Sequence, residues 1–132
     1  MLPVHVLLVG ESLDLFRRLR APLEAEGMDV SLGSAGPSPG ILLARAGPDL
    51  LIAEFPGRHS RIEAWRRAIE SFRMRRPLAV LAIAPRILSV DEQRILDEIA
   101  DLGVLRRRPP WEEIVARVED WYADQTPCLK AG

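Results

Sequence analysis

The sequence predicts a three-layer α/β fold: a five-stranded parallel sheet with five helices packed on its two faces. Three observations carry that expectation. Short apolar runs of strand length alternate five times with segments of helical periodicity, and such strand–helix–strand units build a parallel sheet through right-handed crossovers. Three of the runs, at residues 4–9, 50–53 and 78–84, are apolar almost throughout, as strands covered on both faces are. The second and fifth runs, 28–32 and 103–105, alternate or are brief. That puts them at the edges and gives the flavodoxin-like order 2-1-3-4-5.

Each element has its own local justification. Val4-His5-Val6-Leu7-Leu8-Val9 ends at Gly10. Ser12 is placed to cap a helix in which Leu15, Leu19 and Leu23 recur every four residues and which Gly27 stops. Pro22 inside that pattern is expected to kink the helix or end it early. Met28-Asp29-Val30-Ser31-Leu32 alternates strictly, as an edge strand with one covered face does. The stretch from Ser34 to Gly40 is the one clear loop cluster. Ile41 to Ala46 reads as a short helix broken by Gly47-Pro48, and Leu50-Leu51-Ile52-Ala53 as a buried strand closed by Pro56-Gly57.

In the second half, Ile62, Trp65, Ile69 and Phe72 mark one helix face. Leu78 to Ala84 is a strand bounded by Pro77 and Pro85. Ser89 with Glu92 makes a capping box for a helix buried through Ile95, Ile99 and Leu102. Gly103-Val104-Leu105 is a brief last strand, and Trp111, Ile114, Val115, Val118 and Tyr122 form one stripe of a final helix. Residues 1–124 are expected to form the domain and residues 125–132 a flexible tail.

Composition narrows the function classes. The chain has 132 residues, 48% of them hydrophobic and 28% charged, the balance of a single globular domain and not of a disordered chain. No apolar stretch approaches the ~18 residues of a membrane span, and no secretory signal opens the chain, so a cytoplasmic protein is expected. The formal net charge of −1 provides no field to draw the molecule onto nucleic acid. Lys130 is the only lysine among 18 basic residues, and Cys128 is the only cysteine. An intramolecular disulfide is therefore impossible.

In a sheet of this order ligands bind beyond the carboxyl ends of the strands, at the switch point between the first and third. The residues there are Gly10 and Glu11 after strand one, Glu54 after strand three, Ala82 and Ile83 after strand four, and Arg106, Arg107 and Arg108 after strand five. Over about residues 4–123 the chain resembles the receiver domain of bacterial response regulators, the CheY-like family of two-component phosphorelays. The resemblance rests on Val6-Leu7-Leu8-Val9-Gly10-Glu11, on Leu23-Glu24-Ala25-Glu26-Gly27, on Pro48-Asp49-Leu50-Leu51-Ile52-Ala53-Glu54, and on Gly103-Val104-Leu105 running into Arg108-Pro109. Pro48-Asp49 before strand three, with an acid closing the strand and Pro56-Gly57 after it, is the most specific part.

The departures from that family matter as much as the match. The resemblance implies two adjacent acids after strand one that share Mg²⁺ with a strand-three aspartate; here the first position is Gly10 and only Glu11 remains. Mg²⁺ demands near-ideal octahedral oxygen ligands, so losing a carboxylate weakens the cage. The phosphoacceptor aspartate falls on Glu54, the switch hydroxyl on Ala82 and the strand-five aromatic on Val104. The family lysine falls on Arg107 or on Arg108. These positions form a degenerate phosphoacceptor pocket with no metal and no cofactor expected.

Three readings of Glu54 stand side by side: a polar strand-end residue, a carboxylate that mimics a phosphoryl group, and an altered acceptor. Arginine suits a carboxylate better than lysine does, so Arg107 or Arg108 is a natural partner for the mimic. Asp49 is no substitute, because it stands at the opposite end of the sheet from Glu11.

The face made by the fourth helix, fifth strand and fifth helix is where the resemblance places partners or a second copy, and it points to Val104, Trp111 and Trp121. The competing reading is that Trp121 merely covers the sheet edge. The arginines at 73, 75 and 76 read as an ordinary helix end, since cations favour helix C-termini; the triple arginine at 106–108 reads as a solvated loop or a phosphate patch.

Other signatures fail. Gly33-x-x-Gly36-x-x-x-Gly40 lacks the dinucleotide spacing and position. His5 and His59 have no metal-ligand companions and read as surface residues.

The expected function is a pseudo-receiver: a non-enzymatic signalling domain working by phosphorylation-independent contact with a protein partner, with nucleic acid and membrane excluded. The alternatives are a genuine response regulator accepting phosphate at Glu54, and a small-ligand binder using Gly10, Glu11, Glu54 and Arg108.

Overall fold

The computed structural model describes residues 3–10, 13–33, 38–55, 59–84, 88–106 and 110–125. Ten elements alternate along them: β1 (His5–Val9), α1 (Leu13–Ala25), β2 (Asp29–Gly33), α2 (Pro39–Ala46), β3 (Leu50–Glu54), α3 (His59–Arg73), β4 (Ala79–Ala84), α4 (Val90–Ile99), β5 (Val104–Arg106) and α5 (Trp111–Gln125). The strands form one sheet in the order β2-β1-β3-β4-β5, every pairing parallel. The expected architecture, five parallel strands and five helices in the order 2-1-3-4-5, is the observed one.

Alternation of side chains across the sheet divides the core in two. Leu7, Val9, Leu51, Ala53, Val80 and Ala82 pack with Leu43, Ile62, Trp65, Ile69, Leu96 and Ile99 on the side of α2, α3 and α4. Val6, Leu8, Leu50, Ile52, Leu81 and Ile83 pack with Phe16, Leu19, Leu23, Ile114 and Val118 on the side of α1 and α5. The three central strands are apolar on both pleats because both pleats are covered.

Several local expectations change. Pro22 does not end α1, which continues to Ala25. The proline leaves the Arg18 carbonyl without its helical partner, but Arg18 is exposed, so water can serve that carbonyl, while Leu19 and Leu23 are fully buried and hold the turn. The helix closes as the spacing indicates, with the Gly27 N–H on the Glu24 carbonyl at 2.9 Å and the Met28 N–H on the Leu23 carbonyl at 3.1 Å. Helix α2 starts at Pro39, two residues inside the expected loop, because proline is well tolerated in the first turn.

In β2 the alternation buries Met28 and Val30 but leaves Leu32 48% exposed; the α1 cluster ends at Val30. Strand β5 begins at Val104 instead of Gly103. Gly103 has φ +103° and donates its N–H to the Ala100 carbonyl, so it closes the turn after α4. The capping box forms as read: the Glu92 N–H donates to Ser89 Oγ at 3.1 Å and the Ser89 N–H to Glu92 Oε1 at 2.9 Å.

Trp111 and Tyr122 are not core residues. The centre of the α5 stripe is Ile114, Val115 and Val118, and Trp111, Trp121 and Tyr122 are half-buried around its rim. The Ser12 cap, Pro56-Gly57, Pro85, Cys128 and the segment 126–132 lie outside the described residues, as do the side chains of Leu15 and His59.

The amino ends of the strands carry a polar network that no local pattern in the sequence announces. The His5 N–H donates to Asp49 Oδ2 at 2.8 Å, while Arg76 pairs with Asp49 Oδ1 at 3.2 Å. His5 is half-buried and its Nε2 shares a hydrogen bond with Ser31 Oγ at 2.9 Å, so it is not a plain surface histidine. Arg73 is not an ordinary solvated helix end either. Its guanidinium donates to the Leu78 carbonyl at 3.0 Å and the Ile99 carbonyl at 2.9 Å, and it reaches Asp101 Oδ1 at 3.2 Å.

Candidate functional site

The carboxyl end of the sheet brings Gly10 and Glu54 together. Register pairs Val9 with Ala53, so the residues that follow each, Gly10 and Glu54, emerge side by side at the crest. A Cβ built on Gly10 would stand 2.5 Å from Glu54 Oε1, 2.7 Å from Glu54 Cβ and 3.0 Å from Phe16 Cζ. A Cβ atom does not come within 3.0 Å of such a neighbour, so the glycine leaves room that the Glu54 side chain uses. Glu54 is half-buried.

The backbone beneath it is fixed. Glu54 pairs with Ile83 across β3–β4, and the next residue extends the ladder as the Phe55 N–H donates to the Ile83 carbonyl at 2.8 Å. Phe55 is buried and meets Trp65 edge to face, with ring centroids 6.2 Å apart and planes at 78°. Aromatic pairs prefer that geometry, and here it anchors the chain directly after the carboxylate.

Ala82 lies between Ala53 and Val104 in the register and is fully buried on the α2–α3–α4 side. Its methyl is packing, and no hydroxyl is available at this point of β4. Glu11, Arg107 and Arg108 lie outside the described residues. Arg106, the last residue of β5, donates to Gln93 Oε1 on α4. Among the described residues no group of three or more His, Cys, Asp and Glu side chains could hold a metal ion.

The residues singled out for partner contact fall on two sides of β5. Val104 is half-buried against the α2–α3–α4 cluster, whereas Trp111 and Trp121 rest against the α1–α5 cluster. On the α4 side, beside Arg106, a groove of about 570 Å³ is lined by Leu88, Val90, Gln93, Arg94 and Asp97. Val90 is 87% exposed there.

Two residues of the site escaped the sequence reading. Phe16 was legible from its spacing, because Phe16, Leu19 and Leu23 are three and four apart and make the buried face of α1. Phe55 carried no signal beyond following Glu54.

Solved structures match this arrangement over nearly the whole chain. A CheY-like response regulator receiver domain from Methanospirillum hungatei aligns over 99% of this chain and 100% of its own, at 17% identity and a TM-score of 0.69. A response regulator from Thermotoga maritima aligns over 90% and 97%, at 18% identity and a TM-score of 0.70. The chain has the receiver-domain fold. An orphan response regulator of H. pylori shares that receiver fold at a TM-score of 0.70 and 18% identity, over 89% of this chain and 94% of its own. No family model and no curated protein matches the sequence.

In this fold Gly10 follows the end of β1 and Ala82 lies within β4. No described helix is long and apolar enough to cross a membrane.

Proposed function

We propose that this chain is a receiver-like signalling domain that works by contact with a protein partner and does not accept a phosphoryl group. The observation that carries the reading is Ala82. It is fully buried between Ala53 and Val104, so the hydroxyl that the resemblance would use to follow a phosphoryl group is replaced by a packed methyl. Gly10 supplies no carboxylate and Glu54 stands where the acceptor would be. Gly10, Glu11, Glu54 and Ala82, with Arg107 or Arg108, are on this reading the remnant of the pocket.

The domain is a non-enzymatic, cytoplasmic adaptor in a two-component pathway, and its contact surface is the face of α4, β5 and α5 around Val104, Trp111 and Trp121. A second copy is one occupant that this face would take. Trp is enriched at the centres of interfaces, and two half-buried tryptophans rim α5. Trp121→Ala is expected to weaken partner capture at least tenfold while costing less than the ~3–5 kcal/mol of a fully buried tryptophan, since the side chain lies at the rim of the α1–α5 cluster. Sedimentation and a binding titration on the folded variant check this.

The reading itself is tested by amide NMR of the whole chain with Mg²⁺ and beryllofluoride. The expected spectrum is unchanged by both additions, and acetyl phosphate leaves the intact mass unaltered. Saturating shifts confined to Gly10, Glu11, Glu54 and the strand-five arginines would overturn it in favour of a working acceptor.

A further inference from the structure

The Gly10 slot points to a division of labour inside the pocket. We propose that Gly10 is the positioning residue for Glu54: its bare Cα makes the space in which the Glu54 carboxylate lies, so the chain fills the pocket with its own side chain. A side chain of any kind at position 10 evicts that carboxylate. The proposal concerns the regulation of the pocket described above and rests on the phosphorylation-independent reading for its functional meaning. A pocket with a resident side chain is occupied from within, where an exchangeable group would otherwise come and go.

The geometry leaves little alternative. The position of a Gly10 Cβ is only 2.5 Å from Glu54 Oε1 and 2.7 Å from Glu54 Cβ. Glu54 Cβ cannot retreat without a backbone shift, because residue 54 is held in the β3–β4 ladder and Phe55 behind it is buried. Phe16 Cζ is the third close atom, at 3.0 Å, and Phe16 is itself only 1% exposed in the α1 core. Of these three close atoms, Glu54 Oε1 is the one at the end of a rotatable side chain, so a methyl at position 10 displaces the carboxylate, and the contact with Glu54 Cβ must be relieved by a shift of the backbone. Gly10 also has φ +155°, so the test must separate contact with Glu54 from backbone strain.

A substitution cycle read by thermal unfolding does so. Gly10→Ala is expected to lower the midpoint by about 5 °C or more, the scale of overpacking a tight site. In a Glu54→Gly background, where both close contacts are gone, the same substitution is expected to cost less than half as much. A structural role alone would not move the second readout, the ¹³C carboxyl resonance of Glu54. Its chemical shift should change in Gly10→Ala while those of Glu70 and Glu113 stay in place.

Equal cost in both backgrounds, or an unmoved Glu54 carboxyl signal, overturns the proposal. If Gly10→Ala fails to fold, rescue by Glu54→Gly supports it and failure of the double variant refutes it. These results are independent of beryllofluoride. A cycle without coupling leaves the phosphorylation-independent reading intact, and beryllofluoride binding overturns that reading whatever the cycle shows.

Discussion

Trp65→Ala is expected to be among the most damaging single substitutions in this chain, costing about 3–5 kcal/mol and lowering the thermal midpoint by roughly 10 °C or more. Trp65 is only 2% exposed and belongs to the cluster under α2, α3 and α4. Its removal leaves a cavity that the surrounding Ile62, Ile69 and Val80 cannot collapse into, because each is already fully buried. The edge-to-face contact with Phe55 is lost as well, a further contribution of about 0.5–1.5 kcal/mol. With total stabilities of about 5–15 kcal/mol, the variant sits close to unfolding. Trp65→Phe, which keeps an aromatic ring, should cost less than half as much. The functional consequence lies one residue from Phe55: hydrogen exchange at Glu54 and Phe55 should accelerate in Trp65→Phe before global unfolding does. A cost below about 1 kcal/mol for Trp65→Ala would mean that the β3 end is anchored elsewhere.

What could be read from the sequence was what is encoded locally. The apolar runs of β1, β3 and β4 declare strands buried on both faces, and the Ser89–Glu92 box declares the start of α4, because two residues three apart suffice to specify it. Asp49 belongs at the amino end of the sheet simply because it precedes the β3 run. What stayed hidden is set by sheet register. Gly10 and Glu54 are 44 residues apart and meet only because Val9 pairs with Ala53, so nothing near Gly10 announces that its missing side chain makes room for a carboxylate. The same holds for His5, whose ring finds Ser31 through the β1–β2 pairing. Local rules also misjudge competition: Pro22 is a helix breaker by propensity, yet burial of Leu19 and Leu23 carries α1 through it. Trp111 and Tyr122 fit a helical stripe by spacing, but a stripe has a centre and a rim, and spacing does not say which is which.

Asp101→Ala is expected to cost about 2 kcal/mol although its side chain is 54% exposed. The reason is the buried donor it serves. Asp101 Oδ1 accepts the Val80 N–H at 2.6 Å, and Val80 is fully buried in the sheet. Removing the acceptor strands a backbone amide at a cost of about 1–3 kcal/mol, whereas the ion pair with Arg73, at 3.2 Å and partly exposed, is worth only about 0–1 kcal/mol. Three consequences separate these contributions. Asp101→Asn keeps an acceptor oxygen and should cost clearly less than Asp101→Ala. The loss in Asp101→Ala should persist at 0.5 M salt, where an exposed ion pair is screened. Arg73→Ala should be damaging in its own right, by about 1–2 kcal/mol, because it abandons the Leu78 and Ile99 carbonyls. A double-mutant cycle between the two should then give a coupling below about 1 kcal/mol. Denaturant melts of the four proteins decide it: a large coupling that vanishes in salt would make the ion pair, and not the amide of β4, the reason these two residues clasp the start of the strand.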